Sequence, residues 1–326
     1  MNAPDSTPSP LLPAPALRHA VRALSLVIVL AVALYLVLVT LADRDAFVRT
    51  LAAFPPALWG QVVALSLLSY GLRFLRWQHF IAALGHRVPW PRHLAIYLSG
   101  FALTLTPAKA GETVRSVYLR PWGVGYAQSL ATFVTERLLD VAAVGALASL
   151  AVLLFPAHRF WAWGALALCL GLLLLMRSRL LPPLVARLAR GGFGRHSAQG
   201  IATVQGLLSG PRLAAALPLS LAAWSAQGCA LYLIVAALGY PLAPATVVGI
   251  YCLSILAGAA SFIPGGLGAT EAAIALLLTA AGLSPGDALA ASLVSRTLTL
   301  WLAVGLGAMA MVWVALVPRA GRPPAA

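Results

Sequence analysis

Residues 106–116 read TPAKAGETVRS. They place Lys109, Glu112 and Arg115 within seven residues, directly after Pro107, in a 326-residue chain that is 61% hydrophobic. Ahead of them run fifteen uncharged residues, Leu94–Ala108. That is too short to cross a bilayer, which takes about 20 residues, and too apolar for a surface loop. A segment that enters the apolar phase, breaks at a proline and turns back fits both facts. Backbone broken at membrane depth is tolerated only where protein or water covers its free polar groups. A second interrupted stretch, 243–283, carries PGGLG at 264–268 and Glu271 just beyond. We read 93–118 and 243–283 as re-entrant hairpins whose tips are Pro107 with Gly111, and Pro264, Gly265, Gly266 and Gly268.

The rest of the chain agrees. Mean hydropathy is +0.91 and only 9% of residues are charged, which is the composition of a polytopic helical membrane protein. No polar stretch is long enough for a large soluble domain. Residues 1–20, rich in Pro, Ser and Ala, read as a cytoplasmic tail. The twenty apolar residues Ala23–Ala42 follow Arg18 and Arg22 with no cleavage pattern, so they read as a retained first helix. The net charge of +14 does not indicate nucleic acid, because the arginines are scattered over short loops between apolar runs. Cys169, Cys229 and Cys252 fall in apolar runs without paired ligand spacing and are expected to be buried free thiols. No metal and no cofactor are expected.

Apolar runs predict spanning helices near 21–42, 56–76, 127–155, 158–176, 212–238 and 288–317. With the N-terminus inside, fourteen of the 22 basic residues fall on the cytoplasmic side, Arg73 and Arg76 among them, against Arg44, Arg49 and Arg159 outside. Both termini are then cytoplasmic, in a bacterial inner membrane. Arg76-Trp77 reads as an anchor at the inner end of a helix, and His79, His86 and His93 as solvated loop residues. Residues 180–208 fit either a basic amphipathic segment on the inner leaflet or a plain connecting loop. The expected organisation is a tail (1–20), a first helix with its outer loop (21–55), and one repeat half (56–155). A linking helix and basic segment (156–211), a second half (212–318) and a tail (319–326) follow.

The halves echo each other. AALG occurs at 82–85 and 236–239, and IY at 96–97 and 250–251, both at an offset of 154. Pro107 answers to Pro264 and Gly111 to Gly268 at an offset of 157. Glu112 is followed 25 residues later by Arg137, and Glu271 is followed 25 residues later by Arg296. The preserved order points to an internal repeat. Because the helix directions reverse between halves, it is an inverted-topology repeat, the arrangement that gives transporters two alternately accessible faces.

Four of the eight acidic residues, Glu112, Glu136, Asp140 and Glu271, lie in predicted membrane elements. No other charge occurs between Arg212 and Glu271. A charge at bilayer depth costs about 2.5–3.5 kcal/mol even on insertion scales, so these groups need a reason. For Glu136, Arg137 and Asp140, a structural ion-pair set and a headgroup cavity are equally open readings. Glu112 and Glu271, placed just after the tips, read better as functional. Helix-terminal amides with Lys109 and Arg115 suit a phosphate, and Glu112, Arg137, Glu271 and Arg296 are expected around one mid-membrane cavity.

These residues resemble a family. Arg76-Trp77, Pro107-x-Lys109-x-Gly111-Glu112-x-x-Arg115, Glu136-Arg137-x-x-Asp140 and the PGGLG stretch with Glu271 are similar to flippase-like proteins related to the transmembrane region of lysylphosphatidylglycerol synthases. Lys109 stands where that family more often has Arg. The resemblance implies movement of a polar-headed lipid between leaflets, the substrate being a phospholipid, a polyprenyl-linked lipid or a hopanoid-type lipid. No stretch matches the soluble aminoacyl-transferase domain of full-length synthases, so synthesis of lysyl-phosphatidylglycerol is not expected. Two other classes compete with a translocase. One is an intramembrane lipid-phosphate phosphatase, disfavoured because Ser116 and Ser261 have no adjacent base. The other is a membrane partner of a lipid or glycan synthase.

Overall fold

The structure, a computed structural model, describes residues 52, 54–153, 159–183 and 192–317. Both expected tails, the first helix at 21–42 and part of the basic linking segment lie outside them. Among the described residues all regular structure is helical. In chain order, α1 (Pro56–Ala83) leads to α2 (Trp90–Ser99), which tightens into a 3₁₀ turn (Gly100–Leu103). A second 3₁₀ stretch (Pro107–Val114) and the short α3 (Arg115–Leu119) follow. Next come α4 (Tyr126–Ala148) with a 3₁₀ end (Ser149–Leu153), α5 (Arg159–Arg177) and α6 (Gly192–Leu207). The second half contains α7 (Gly210–Ala237), α8 (Pro244–Ala260), a 3₁₀ turn (Pro264–Gly266) and α9 (Ala269–Ala280). It closes with α10 (Pro285–Arg296), which passes through a π turn (Thr297–Trp301) into α11 (Leu302–Leu316).

Among the described residues three helices are long and apolar enough to cross a membrane: α1 and α7, with 28 residues each, and the continuous 32-residue run Pro285–Leu316. At 1.5 Å per residue, α1 and α7 measure about 42 Å, longer than the hydrocarbon layer. Proline occupies the first turn of α1, α2, α7, α8 and α10, where its missing N–H costs nothing and its fixed φ favours the helix. The repeated AALG is a helix end in both halves. Gly85 and Gly239 adopt φ of +87° and +84°. The next residue's amide donates back five residues, His86 to the Ile81 carbonyl at 3.2 Å and Tyr240 to the Val235 carbonyl at 3.4 Å.

The equivalent helices α1 and α7 pack on each other. The Arg73 guanidinium lies 4.9 Å from the Trp224 ring centre, and Arg76 donates to Ser220 Oγ at 2.6 Å. Advancing three residues along α1 thus retreats four along α7, so the two run antiparallel. The smaller elements are exchanged in the same way. The 3₁₀ turn after α2 packs on α11 of the other half, and α8 packs on the 3₁₀ end of α4. Both contacts close at a glycine. A Cβ on Gly307 would collide with the backbone of Phe101 and Ala102, and one on Gly249 with the backbone of Leu150 and Ala151. Gly249→Ala and Gly307→Ala should each destabilise by about 1–3 kcal/mol, because backbone cannot yield as a side-chain tip does. Gly171→Ala, with nothing within 4 Å of the added Cβ, is the control. Melting temperatures in detergent check the difference.

Several expectations change. The helix predicted at 56–76 runs on to Ala83, so Arg73 and Arg76 lie within it rather than at its inner end. Arg76 and Trp77 are buried among neighbouring helices rather than exposed at a helix end. His93 is also buried, its ring 4.3 Å from that of Trp77, and His86 contacts Gln128 at 3.0 Å. Only His79 is exposed as expected. Helix α6 is neither a loop nor a surface segment throughout. Val204 and Leu207 at its end, with Leu208 just beyond, are buried in a cluster with Phe80, Leu139 and Leu173. The three cysteines are free, with Cys229 only half-buried.

Candidate functional site

Charge converges on the crossing of α1, α4 and α7. Arg73 and Arg76 lie one turn apart on α1, and Glu136, Arg137 and Asp140 one turn apart on α4. Asp140 is the hub. It meets Arg76 at 2.8 Å, Arg137 at 3.1 Å and Arg73 at 3.2 Å, and accepts from the Trp224 indole at 3.1 Å. Glu136 joins Arg115 at 3.2 Å to Arg76 at 3.5 Å. Glu112 contacts Arg115 at 3.1 Å and Arg137 at 3.5 Å and accepts from the Thr104 hydroxyl at 2.9 Å. Each of the three carboxylates therefore faces at least two guanidinium groups. This matters because an ion removed from water costs several kcal/mol unless excellent partners replace the solvent. Arg115 is held further by the Tyr97 carbonyl at 3.0 Å and by the Tyr97 ring, 4.2 Å from its guanidinium carbon.

The second half supplies a smaller set. Glu271, in the first turn of α9, meets Arg296 at 2.9 Å, and Arg296 also donates to the Gly265 carbonyl at 2.8 Å. A carboxylate at a helix start is favoured by the amide dipoles there. Ser292, one turn before Arg296, donates to the Glu271 carbonyl at 2.9 Å. The two interrupted stretches touch: the 3₁₀ segments at Pro107–Val114 and Pro264–Gly266 pack on each other, with Leu105, Leu267, Leu300 and Val304 clustered there.

Between these sets lies a cavity of about 350 Å³. Arg73, Lys109, Glu112, Arg137 and Asp140 face it from the first half, and Arg296 from the second. The opposite wall is apolar, formed by Ile255, Leu256 and Ala259 of α8 and by Phe262 and Ile263 beyond it. Phe262, 80% exposed, stands at the edge, so the cavity reaches the molecular surface beside the second break. Lys109 and Phe262 both have left-handed backbone, φ 57° and 55°. Non-glycine residues rarely adopt this conformation outside sites where the surroundings impose it.

The predicted residues thus divide. Lys109, Glu112, Arg137, Asp140 and Arg296 face the cavity, as do Gly265 and Gly266. Arg115, Glu136 and Glu271, also expected as substrate contacts, form a backing layer behind that lining and are ion-paired with their neighbours. Pro107 and Pro264 open the two 3₁₀ stretches, the Gly111 amide donates to Thr106 Oγ1 at 2.6 Å, and Gly268 precedes α9. Sequence reasoning missed Arg73 and Arg76. The signal was present, since the helix signature continues unbroken until Gly85, nine residues past the predicted end. Trp224, Tyr70, Gln227 and Tyr251, which also line the cavity, carry no such signal. Among the described residues no group of His, Cys, Asp and Glu is arranged to hold a metal.

The comparisons with known proteins agree with this architecture. Two matches named UPF0104 membrane protein, both from Methanothermobacter thermautotrophicus, are similar to the chain. One is 27% identical over 296 residues, covering 80% of this chain and 85% of the relative. The other is 30% identical over 95 residues, covering 29% of this chain and only 28% of the relative's length. The family described as "Lysylphosphatidylglycerol synthase TM region" matches residues 23–307. With that match across most of its length, and with intramembrane charge built into a helical membrane protein, the chain belongs to the lysylphosphatidylglycerol synthase transmembrane-region family.

Proposed function

We propose that this protein is a lipid translocase of the cytoplasmic membrane, with six spanning helices and two re-entrant hairpins in an inverted-topology repeat. The observation that carries the reading is the cavity. Most of its charged lining comes from the first half, Ile255, Leu256, Ala259, Phe262 and Ile263 of the second half give it an apolar face beside Arg296, and its edge reaches the molecular surface at Phe262. A headgroup binds the charged lining while its tail stays in contact with the apolar face. The antiparallel packing of α1 and α7 and the exchanged contacts at Gly249 and Gly307 support a pseudo-twofold axis in the membrane plane. Rocking one half against the other about that axis presents the cavity to each leaflet in turn.

The phosphatase reading gains less support. Ser116 donates to Ser129 Oγ at 2.8 Å and Ser261 to the Gly258 carbonyl at 2.7 Å, so neither hydroxyl is held by a base. The test is reconstitution into liposomes carrying a trace of headgroup-labelled phosphatidylglycerol. The protein should speed movement of label between leaflets well above the rate in protein-free vesicles. Rates equal to the empty control would refute transport. Release of inorganic phosphate from polyprenyl diphosphate would move the assignment to an enzyme.

A further inference from the structure

The charge on the cavity wall narrows the ligand further than transport alone requires; the argument rests on the translocase reading. The intramembrane cluster holds six cations, Arg73, Arg76, Lys109, Arg115, Arg137 and Arg296, against four carboxylates, Glu112, Glu136, Asp140 and Glu271. The backing layer balances formally, with Arg76 and Arg115 against Glu136 and Glu271. The excess lies on the lining, where Arg73, Lys109, Arg137 and Arg296 face the cavity with only Glu112 and Asp140. Each of the three arginines has a carboxylate at 3.2 Å or closer. Arg137 adds Glu112 at 3.5 Å. Lys109 differs. Among the described residues no carboxylate comes within ion-pair distance of its ammonium, which lies 5.9 Å from the Trp224 ring centre. A positive wall in a medium that screens poorly calls for a counter-charge from the ligand.

Volume supplies the second limit. At about 350 Å³ the cavity lies at the lower end of the ~300–1,000 Å³ common for small-molecule sites, a size that suits a small headgroup such as phosphate or phosphoglycerol.

We infer that the cavity selects lipids with one small, net-anionic phosphate headgroup and discriminates against the aminoacylated lipid from which the family takes its name. A lysyl-phosphatidylglycerol headgroup carries two ammonium groups and one phosphate, so it is net positive and meets like charge on this wall. Such juxtaposition is a strong specificity element, because it penalises the wrong ligand instead of merely failing to reward it. Guanidinium groups at Arg137 and Arg296 offer phosphate the paired donors it prefers, and Lys109 adds a point charge that makes no ion pair among the described residues.

The experiment uses the purified full chain in detergent with four lipids of equal short acyl length: phosphatidic acid, phosphatidylglycerol, phosphatidylethanolamine and lysyl-phosphatidylglycerol. Inorganic phosphate and glycerol 3-phosphate form separate arms. Binding is read as ligand-induced thermal stabilisation. The two anionic lipids should bind at least tenfold more tightly than the zwitterionic and cationic ones, a gap typical of one hydrogen bond to a charged group. Lys109→Gln should remove most of that preference, and Lys109→Arg should keep it. Since Lys109 has no carboxylate partner, neither change leaves a buried charge unpaired, and the melting temperature without ligand should barely move. Equal or tighter binding of lysyl-phosphatidylglycerol overturns the inference, as does free phosphate binding as tightly as the lipids. If anionic preference holds in binding but no lipid moves in liposomes, the transport reading falls and the site stands. If all four lipids move at one rate, transport stands and the selectivity falls.

Discussion

Asp140→Ala is expected to leave little folded protein. The carboxylate is the common partner of Arg73, Arg76 and Arg137 and accepts from Trp224, so its removal strands several donors in a buried site. Breaking one buried pair typically costs about 3–5 kcal/mol, because the remaining ion keeps its desolvation penalty and loses its partner. Here Arg73 loses its one carboxylate contact among the described residues, while Arg76 keeps Glu136 and Arg137 keeps Glu112. The loss should therefore fall mainly on the α1–α4 contact, within a protein whose net stability is only about 5–15 kcal/mol. Yield of monodisperse protein and melting temperature in detergent provide the measurement. Asp140→Asn, which preserves acceptor geometry, should be milder. Adding Arg73→Gln to Asp140→Asn should recover part of the loss, since the pair is coupled. An Asp140→Ala protein as stable as the parent would show that water or lipid reaches the cluster and that it is not a buried scaffold.

Glu112→Gln is expected to behave in the opposite way. Its neighbours are doubly provided for: Arg115 keeps Glu136 and the Tyr97 carbonyl, and Arg137 keeps Asp140. The amide oxygen still accepts from Thr104. No arginine is stranded, so the stability loss should stay near the 1–3 kcal/mol of a single altered buried polar group. Function should respond far more. Glu112 holds Arg137 in the empty cavity, and with that charge gone an anionic headgroup competes with one carboxylate fewer. The headgroup is then bound more tightly and released more slowly, so translocation should fall at least about tenfold, the effect of 1.4 kcal/mol on the releasing step. Binding affinity, transport rate and melting temperature measured on one preparation decide the matter. A variant that melts far below the parent but transports in proportion to its folded fraction would make Glu112 a structural residue.

The interruptions were legible in the sequence because proline and glycine act locally. Pro107 and the PGGLG stretch end helices through their own backbone constraints, whatever surrounds them, and both breaks appear where the residues place them. The repeat was legible for a related reason: AALG is a helix-end signal, and it caps equivalent helices in both halves. Even two long-range pairs could be read. The 25-residue spacing links Glu112 to Arg137 and Glu271 to Arg296, and in each case the two groups meet, at 3.5 Å and 2.9 Å.

The sequence by itself thus determined the class of protein, the places where its helices break and the carboxylates whose presence in an apolar phase required explanation. Only the tertiary structure decided which charges face the cavity. Glu136 and Arg137 are adjacent in the chain, yet one is sealed in the backing layer and the other faces the opening, because successive helical residues point about 100° apart and only packing says which direction is inward. Trp224, 84 residues from Asp140, became its donor because α7 packs on α4. Arg73 and Arg76 were counted as charge at the inner end of their helix until it proved to continue past them into the crossing with α7. Local backbone chemistry is written residue by residue. The sign and shape of a cavity are sums over elements far apart in the chain, and they exist only once those elements have packed.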